Sequence, residues 1–594
     1  RQPVIASLRL LPLLIRRAPR QAAGAINLCG AGVAIATLVA GTVLSAWAGF
    51  GLREPRIVWR DPTPAASIGV APTALQRRNT VWFQGQRIEV IELAPIGSLA
   101  DAPVAPGLRS APTPGTTWVS PALHRLLHDH PNGHLGARFG NLAGEIGRAG
   151  LAHPDELVAV VGRSAEQLPS SAAVPDPAVE IASFDTRGTD RTLVIYRNLS
   201  LVAAVLVTVP AILLVGSAAR LTAARREQRM AALRLAGATP RSVRALAAAE
   251  TTIGAGIGAV AGVAASAAIS PLLASVEMGG GRWFPSDLRL SISACAAIVA
   301  AAIVTCAATA AVSLRRVASR PLGVARSTEP QRSRWPRLLG TGAAMVLLAA
   351  ATVLSASTTF TGADGQPVDM TVPMVAALGT VIASLALVGP FFTSLVGRAM
   401  VRSARRAPML IAGRRVLEDP RATYRTVSAV VLAGMVAGFL SGVVPTAQHG
   451  GEMHANDVFA SDILRGSLAV MVACLVLAFG ASAIASAASV VDQRRVIGRL
   501  TLCGTDVATL QRARRFEAVL PLAAATIGSI GLGLGSSVLL MRGFGAPAER
   551  ISTPDIWQLV AIAAAAIAMG YISATLSRPL LVAAARQATT SSAN

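Results

Sequence analysis

Ten uncharged apolar stretches of about 18 or more residues mark this chain, at 24–50, 199–216, 253–273, 291–314, 338–357, 372–396, 427–444, 467–491, 518–541 and 556–576. Each is long enough to cross about 30 Å of hydrocarbon as a helix. The pattern predicts a polytopic α-helical membrane protein with ten transmembrane helices. The first stretch follows a basic leader and contains Ala46-x-Ala48, as a secretory signal would. It is longer than the roughly 7–15 apolar residues of a signal core, so it reads as a retained span. Between the first and second spans lies a polar segment, 51–191, with a different pattern. Runs at 87–93 and 117–119 predict strands, and Ser120 followed by Pro121 predicts a capped helix over 120–128. Its 141 residues suffice for one α+β domain on the outer side.

Composition excludes the alternatives to a membrane. Only 14% of the 594 residues are charged and 53% are apolar, with mean hydropathy +0.54. A soluble protein carries about a quarter charged residues, so neither a soluble enzyme nor a disordered chain fits. The net charge is +23 and no lysine occurs, so all 54 basic residues are arginine. With the amino terminus inside, the six inner segments carry 35 arginines, whereas 51–191 balances 13 arginines against 14 acids. That is the positive-inside pattern, with both termini cytoplasmic. The charge reports topology, and nucleic-acid binding is excluded. Without lysine there is no Walker A loop, so the chain cannot hydrolyse ATP by P-loop chemistry. None of the five cysteines lies in 51–191, so no disulfide framework holds that segment. No ionisable residue falls inside the ten apolar cores, which argues against an ion-coupled carrier. That reading stays open, since backbone and hydroxyl oxygens bind sodium.

An internal repeat divides the chain. Leu233-Arg-Leu-Ala-Gly237-Ala-Thr239 is followed thirteen residues after its glycine by Glu250, and Leu500-Thr-Leu-Cys-Gly504-Thr-Asp506 is followed at the same distance by Glu517. Ser319-Arg-Pro-Leu-Gly-Val-Ala325 recurs as Ser577-Arg-Pro-Leu-Leu-Val-Ala583. Two three-span units of the same orientation follow, related by a pseudo-twofold axis along the membrane normal. Each middle span is rich in glycine: Gly254, Gly258 and Gly262 in one, Gly531 and Gly535 in the other. At four-residue spacing these predict close helix packing and no chemistry.

These repeats, with 227–243 and its degenerate copy 492–506, resemble the FtsX-like permease family, the membrane subunits of MacB-type (type VII) ATP-binding cassette transporters. The ten-span form looks like the fused permeases of Gram-positive peptide-resistance exporters, but it carries its outer domain where the shorter MacB-like permeases do. The resemblance implies coupling segments at 225–244 and 492–512 that receive two copies of a P-loop ATPase, with ATP and Mg bound there and no cofactor in this chain. Within them Arg229, Leu233, Leu235, Gly237, Ala238, Thr239 and Val243, and Leu500, Leu502, Gly504, Thr505, Val507 and Leu510, are the docking residues. The residues read the same way physically: in 225–244 six arginines around leucines suit a short amphipathic surface helix that docks in a groove or lies on membrane lipids. Glu250 and Glu517, at the inner starts of their spans, pair with the coupling segment or its partner, or sit where the helix dipole favours a carboxylate.

The layout expected is 1–23, a cytoplasmic amphipathic segment; 24–50, the first span; 51–191, the outer domain; 192–326, the first three-helix unit; 327–400, two linking spans; 401–464, an amphipathic segment, the seventh span and a short loop; 465–583, the second unit; and 584–594, the tail. All seven histidines fall outside. His124, His128 and His130 are the residues that would hold zinc or copper, but they lie by a Pro-Asn-Gly turn where exposed polar residues are common. No metal site is assigned. Nor is there a catalytic triad or zinc-protease motif. The expected function is a non-catalytic permease subunit of a bacterial plasma membrane, exporting or extracting an amphipathic peptide, lipid, lipoprotein or drug by mechanotransmission. One alternative is an FtsX-like regulator of a cell-wall hydrolase, with 51–191 binding a protein instead of cargo; the ion-coupled carrier is the second.

Overall fold

A computed structural model describes residues 20–99, 102–130, 134–169, 177–184, 191–235, 240–318, 371–448, 455–492, 506–543 and 556–576. The chain divides into two compact units. One comprises 44–201 and 269–290; the other comprises 1–43, 202–268 and 291–594.

The first unit begins with the end of helix α1 (Arg20–Ile57), which passes through Pro55 and closes in a 3₁₀ turn at Val58–Arg60. A short helix α2 (Ala65–Ile68) leads to strands β1 (Ala74–Phe83) and β2 (Gln86–Pro95). Gln84 and Gly85, both at positive φ, form the tight hairpin between them. Then come β3 (Thr116–Val119), α3 (Pro121–Asp129), α4 (His134–Arg138), β4 (Asn141–Glu145), β5 (Val158–Gly162) and β6 (Val179–Ile181). The sheet is mixed, in the order β4-β3-β5-β2-β1-β6, with β2–β5 and β3–β4 parallel. Both expected strands and the expected helix are present. Ser120 caps α3 by accepting a bond from the Leu123 amide, with Pro121 in the first turn.

Alternation along β2 sends Ile91 and Leu93 to one face and Ile88 and Val90 to the other. One face packs with Trp59, Trp118, Val158 and Phe184, and the other with Val119, Leu123 and Ala159. Trp59, wholly buried, comes from the turn that ends α1, so that helix is anchored in the sheet's own core.

The second unit is helical: α5 (Arg191–Leu235) from residue 202 on, α6 (Pro240–Ala274) up to residue 268, α7 (Ile292–Ala318), α8 (Thr371–Arg402), α9 (Ala407–Glu418), α10 (Pro420–Gln448), α11 (Ala455–Asp492), α12 (Val507–Gly543) and α13 (Ile556–Leu576), together with the early part of α1. Among the described residues six helices are long and apolar enough to cross a membrane: Cys29–Arg60, Tyr196–Ala219, Thr251–Ala274, Ile292–Ala310, Ser461–Ile484 and Ala508–Val538. These match the first four, the eighth and the ninth predicted spans. The seventh and tenth contain shorter apolar helices, Thr426–Ser441 and Leu559–Ser573. The sixth lies in α8, and the fifth, 338–357, lies outside the described residues. Among the described residues, length and composition thus support six of the ten expected spans.

The glycine stripe of α6 packs as its spacing implies. A Cβ on Gly258 would overlap the Gly30 carbonyl of α1, and one on Gly262 would overlap Ala34 and Thr37, while the Gly254 carbonyl lies 3.3 Å from a Cβ placed on Gly30. The second stripe is corrected. Gly531 and Gly535 have nothing within 4 Å of a Cβ, whereas Gly533 abuts Met435 and Phe439 of α10, and Gly438 abuts Ile530. Two residues turn a helix by about 200°, so Gly533 faces opposite to Gly531 and Gly535. The internal repeat points to the same residue: Gly237 and Gly504, like Glu250 and Glu517, are 267 residues apart, which pairs Gly533 with the buried Ser266.

That interval also describes the packing of α5 on α11. The Cys474 thiol lies 3.9 Å from the Leu206 carbonyl, and Leu214 lies 3.4 Å from a Cβ placed on Gly480. Each contact joins positions within one residue of being repeat equivalents, so α5 and α11 meet side by side at matching heights. One apolar core, including Val33, Leu206, Ala255, Val430, Leu477 and Leu522, runs through helices of both repeats.

Candidate functional site

The segments expected to couple to an ATPase are only partly described. Residues 225–235 continue α5 and α6 starts at Pro240, so this stretch is divided between two long helices and is not a separate one. Arg229, Leu233, Leu235, Val243 and Glu250 lie on those helices, and their side chains are outside what is described, as is that of Val507 at the start of α12. Gly237, Ala238, Thr239, Leu500, Leu502, Gly504 and Thr505 lie outside the described residues. Leu510 is 1% exposed, so it packs inside its own unit and offers no docking surface. Glu517 approaches Arg415 of α9 at 3.6 Å, a partner on the amphipathic helix before α10.

The proposed histidine ligands do not converge. His124 Nδ1 is 2.6 Å from Glu145 on β4, exposed His128 is 3.8 Å from Asp129, and His130 meets the edge of Phe83. No group of three ligand-type side chains gathers among the described residues.

A site that the sequence reading missed lies at the end of α1. Arg53, Arg56 and Arg60 follow the apolar stretch at i, i+3 and i+7, hence near one helical face. Arg53 is fully buried; its Nη1 and Nη2 donate to the carbonyls of Met278 and Arg282 at 2.7 Å, and its guanidinium lies 3.8 Å from the Trp283 ring centroid. Arg56 makes a two-pronged pair with Asp287 at 2.8 Å for each bond, and Arg148 reaches the same carboxylate, which is 0% exposed. Arg60 donates to Glu89 at 2.9 Å, to Glu156 at 2.6 and 3.0 Å, and to the Gly150 carbonyl at 2.7 Å. Phe50 stacks on Tyr196 at 5.5 Å, and Glu54 pairs with Arg197 at 3.0 Å.

Four stretches therefore meet within this unit: the end of α1, the start of α5, the 275–290 connection between α6 and α7, and the sheet. Removing such charges from water is costly, and the arrangement repays this only because the carboxylates are multiply bonded. Burial works to lower the Arg60 pKa, but Glu156 and Glu89 outweigh it and hold the guanidinium above its ordinary value. Burial likewise works to raise Glu156, and Arg60 overrides it, holding that carboxyl below its ordinary range. Every carboxylate is committed to an arginine, so the chemistry here is that of a clamp.

His153 is the titratable group in this clamp. Its ring packs on Gly281, where a Cβ would overlap it, and its buried Nδ1 has no hydrogen-bond partner among the described residues. Burial lowers its pKa from 6.5. The unfolded chain then binds a proton that the folded one refuses, so stability is full above about pH 6.5 and falls as the pH drops towards the folded pKa. Unfolding of the purified full chain followed from pH 8 to about 5 is expected to show this loss, and His153→Asn to remove most of it. Lowered Glu156 adds a further loss only at still lower pH, below the ordinary 4.5.

Comparison with known proteins places the first repeat. Residues 201–322, which include the arginine-rich stretch 225–244, match the sequence model of the FtsX-like permease C-terminal domain. Over this segment the chain is similar to FtsX-like permeases, membrane subunits of the ATP-binding cassette type that generally work with a separate ATPase and are themselves generally non-catalytic. No curated protein matches the chain.

Proposed function

We propose that this chain is the permease subunit of a mechanotransmission system, driven by two copies of a separate P-loop ATPase that supplies ATP and Mg. The observation that carries the reading is the family match over 201–322, because it encloses the arginine-rich segment 225–244. In this reading the chain has ten spans in two like-oriented halves, both termini on the inner side of a bacterial plasma membrane, and 51–191 outside. Closure of the ATPases moves the coupling segments at 225–244 and 492–512 and shifts the helices. Helix α1 ends in the sheet unit, where Arg53, Arg56 and Arg60 clamp it, which supports transmission of that shift to the outer domain. The domain acts on an amphipathic cargo: a peptide, a lipid, a lipoprotein or a drug.

Copurification tests the reading. A cassette ATPase encoded beside this chain is expected to copurify with it, and Leu235→Asp combined with Leu502→Asp should reduce recovery about tenfold, the loss of roughly 1.4 kcal/mol of docking energy. Full recovery by the double variant overturns the docking assignment. ATPase activity stimulated by an amphipathic peptide supports transport, whereas activation of a cell-wall hydrolase without such stimulation overturns it in favour of regulation.

A further inference from the structure

Helix α9 crosses α8 just beyond the apolar stretch that ends at residue 396. A Cβ on Gly397 would overlap Val416, and one on Gly413 would overlap Val401, so these glycines let the two helices touch there. Met400, Ala412 and Val416 are buried in the contact, with Leu520 of α12 packed against them. The other side of α9 is left open. Leu410, Arg414 and Glu418, four residues apart and hence on one face, are exposed, and Ile411 beside them is half-buried. Arg402 at the end of α8 and Arg405 and Arg406 in the turn are exposed too. The side chains of Arg402, Arg405, Arg406 and Arg414 have no hydrogen-bond or ion-pair partner among the described residues. Arg415 differs, turning inward to Glu517 at 3.6 Å. The acids of the stretch, Glu418 and Asp419, stand at its far end, and Asp419 accepts a bond from the Ala422 amide of α10 at 2.9 Å.

Residues 397–417 hold six arginines and no acid, so the complement of this corner is a negative surface. Its height, directly past an apolar stretch, is that of the headgroups. Leu410, 38% exposed, and Ile411 beside arginine fit the same place, where aliphatic side chains enter the lipid and guanidiniums reach phosphate oxygens. We infer that α9 and the end of α8 dock on a bilayer surface rich in anionic phospholipid, with Arg402, Arg405, Arg406 and Arg414 held against its headgroups. The four need not converge, because each guanidinium meets its own phosphate. Each contributes about fivefold in preference for an anionic over a neutral surface, an attraction that salt screens. Since α9 packs on both α8 and α12, the lipid braces that end of the second repeat. This docking requires no ATPase.

The test reconstitutes the full chain in phosphatidylcholine vesicles with a minor share of phosphatidylglycerol. Leu410→Trp places an indole on the open face, and acyl-brominated forms of either lipid quench it on contact, with the wild-type signal subtracted. Quenching by both lipids is expected, with phosphatidylglycerol enriched beside residue 410 over its share of the bilayer. Arg402→Gln, Arg405→Gln, Arg406→Gln and Arg414→Gln combined should cut that enrichment at least about fivefold, as should about 1 M salt. Arg125→Gln with Arg138→Gln, both exposed in the sheet unit, should leave it unchanged. Should Leu410→Trp fail to fold, Ala407→Trp on the same open face takes its place. An indole that neither lipid quenches overturns the docking. Quenching without enrichment, or enrichment that the combined variant keeps, overturns the role of the arginines. If that variant keeps the enrichment and loses a copurifying ATPase, the face belongs to a protein partner instead.

Discussion

Asp287→Ala is expected to destabilise the sheet unit by about 3–5 kcal/mol, the usual cost of removing one partner from a buried ion pair. Asp287 is 0% exposed and serves two arginines, Arg56 with two bonds of 2.8 Å and Arg148. Its removal leaves Arg56, itself 13% exposed, facing Arg148 with no counter-charge. Asp287→Asn keeps the shape but loses the charge, so it should fall between alanine and wild type. The measurement is limited proteolysis of the full chain, with cleavage in 44–201 and at 275–290 rising together in Asp287→Ala. Protection equal to wild type would show that the 275–290 connection is not held by this carboxylate. In the functional reading the same variant has a second effect: ATPase activity persists while coupled movement of 51–191 is lost.

Gly258→Leu should abolish stable packing of α6 on α1. A Cβ there overlaps the Gly30 carbonyl, a backbone atom that moves only if the whole helix moves. In lipid, close approach of backbones is the main source of helix association, so a displaced interface has little to replace it. A cost of at least about 3 kcal/mol is expected, at the upper end of overpacking penalties. Gly533→Leu against Met435 should behave alike, whereas Gly531→Ala and Gly535→Ala, with open space at the Cβ, should stay within about 0.5 kcal/mol of wild type. Recovery of monodisperse protein and its unfolding temperature report this directly. Similar losses for Gly531→Ala and Gly533→Leu would refute the interface described for the second repeat.

The contrast between Gly531 and Gly533 shows what local pattern conveys and where it stops. A four-residue spacing of glycines says that a helix has a smooth face, but several faces of a glycine-rich helix satisfy it. The 267-residue interval between Glu250 and Glu517 was visible in the chain and selects Gly533; applying it would have found the right face. The arginine clamp was legible in part. Three arginines at i, i+3 and i+7 directly after a span, on the side the arginine bias assigns to the outside in the proposed topology, are a sign of buried partners. Their partners were not legible, since Asp287 lies 231 residues from Arg56 and Glu156 lies 96 from Arg60. Leu510 failed as a docking residue for a related reason: periodicity marks an apolar face but does not say whether a partner or the protein's own helices cover it.

The amino-acid sequence by itself determined the membrane class, the repeat, the likeness of 201–322 to FtsX-like permeases and the strands and helix around Ser120. The spans, strands and helix follow from short-range physics, namely the apolar length needed to span lipid, strand alternation and helix capping, whereas the family likeness rests on resemblance over 201–322. The tertiary structure alone decided which glycine faces touch, that Glu517 meets Arg415, and that α1 ends in a clamp closed by Asp287 and Glu156. Those outcomes depend on which distant segments share a desolvated space, and a buried charge acquires its partner only when the fold brings one within hydrogen-bonding reach.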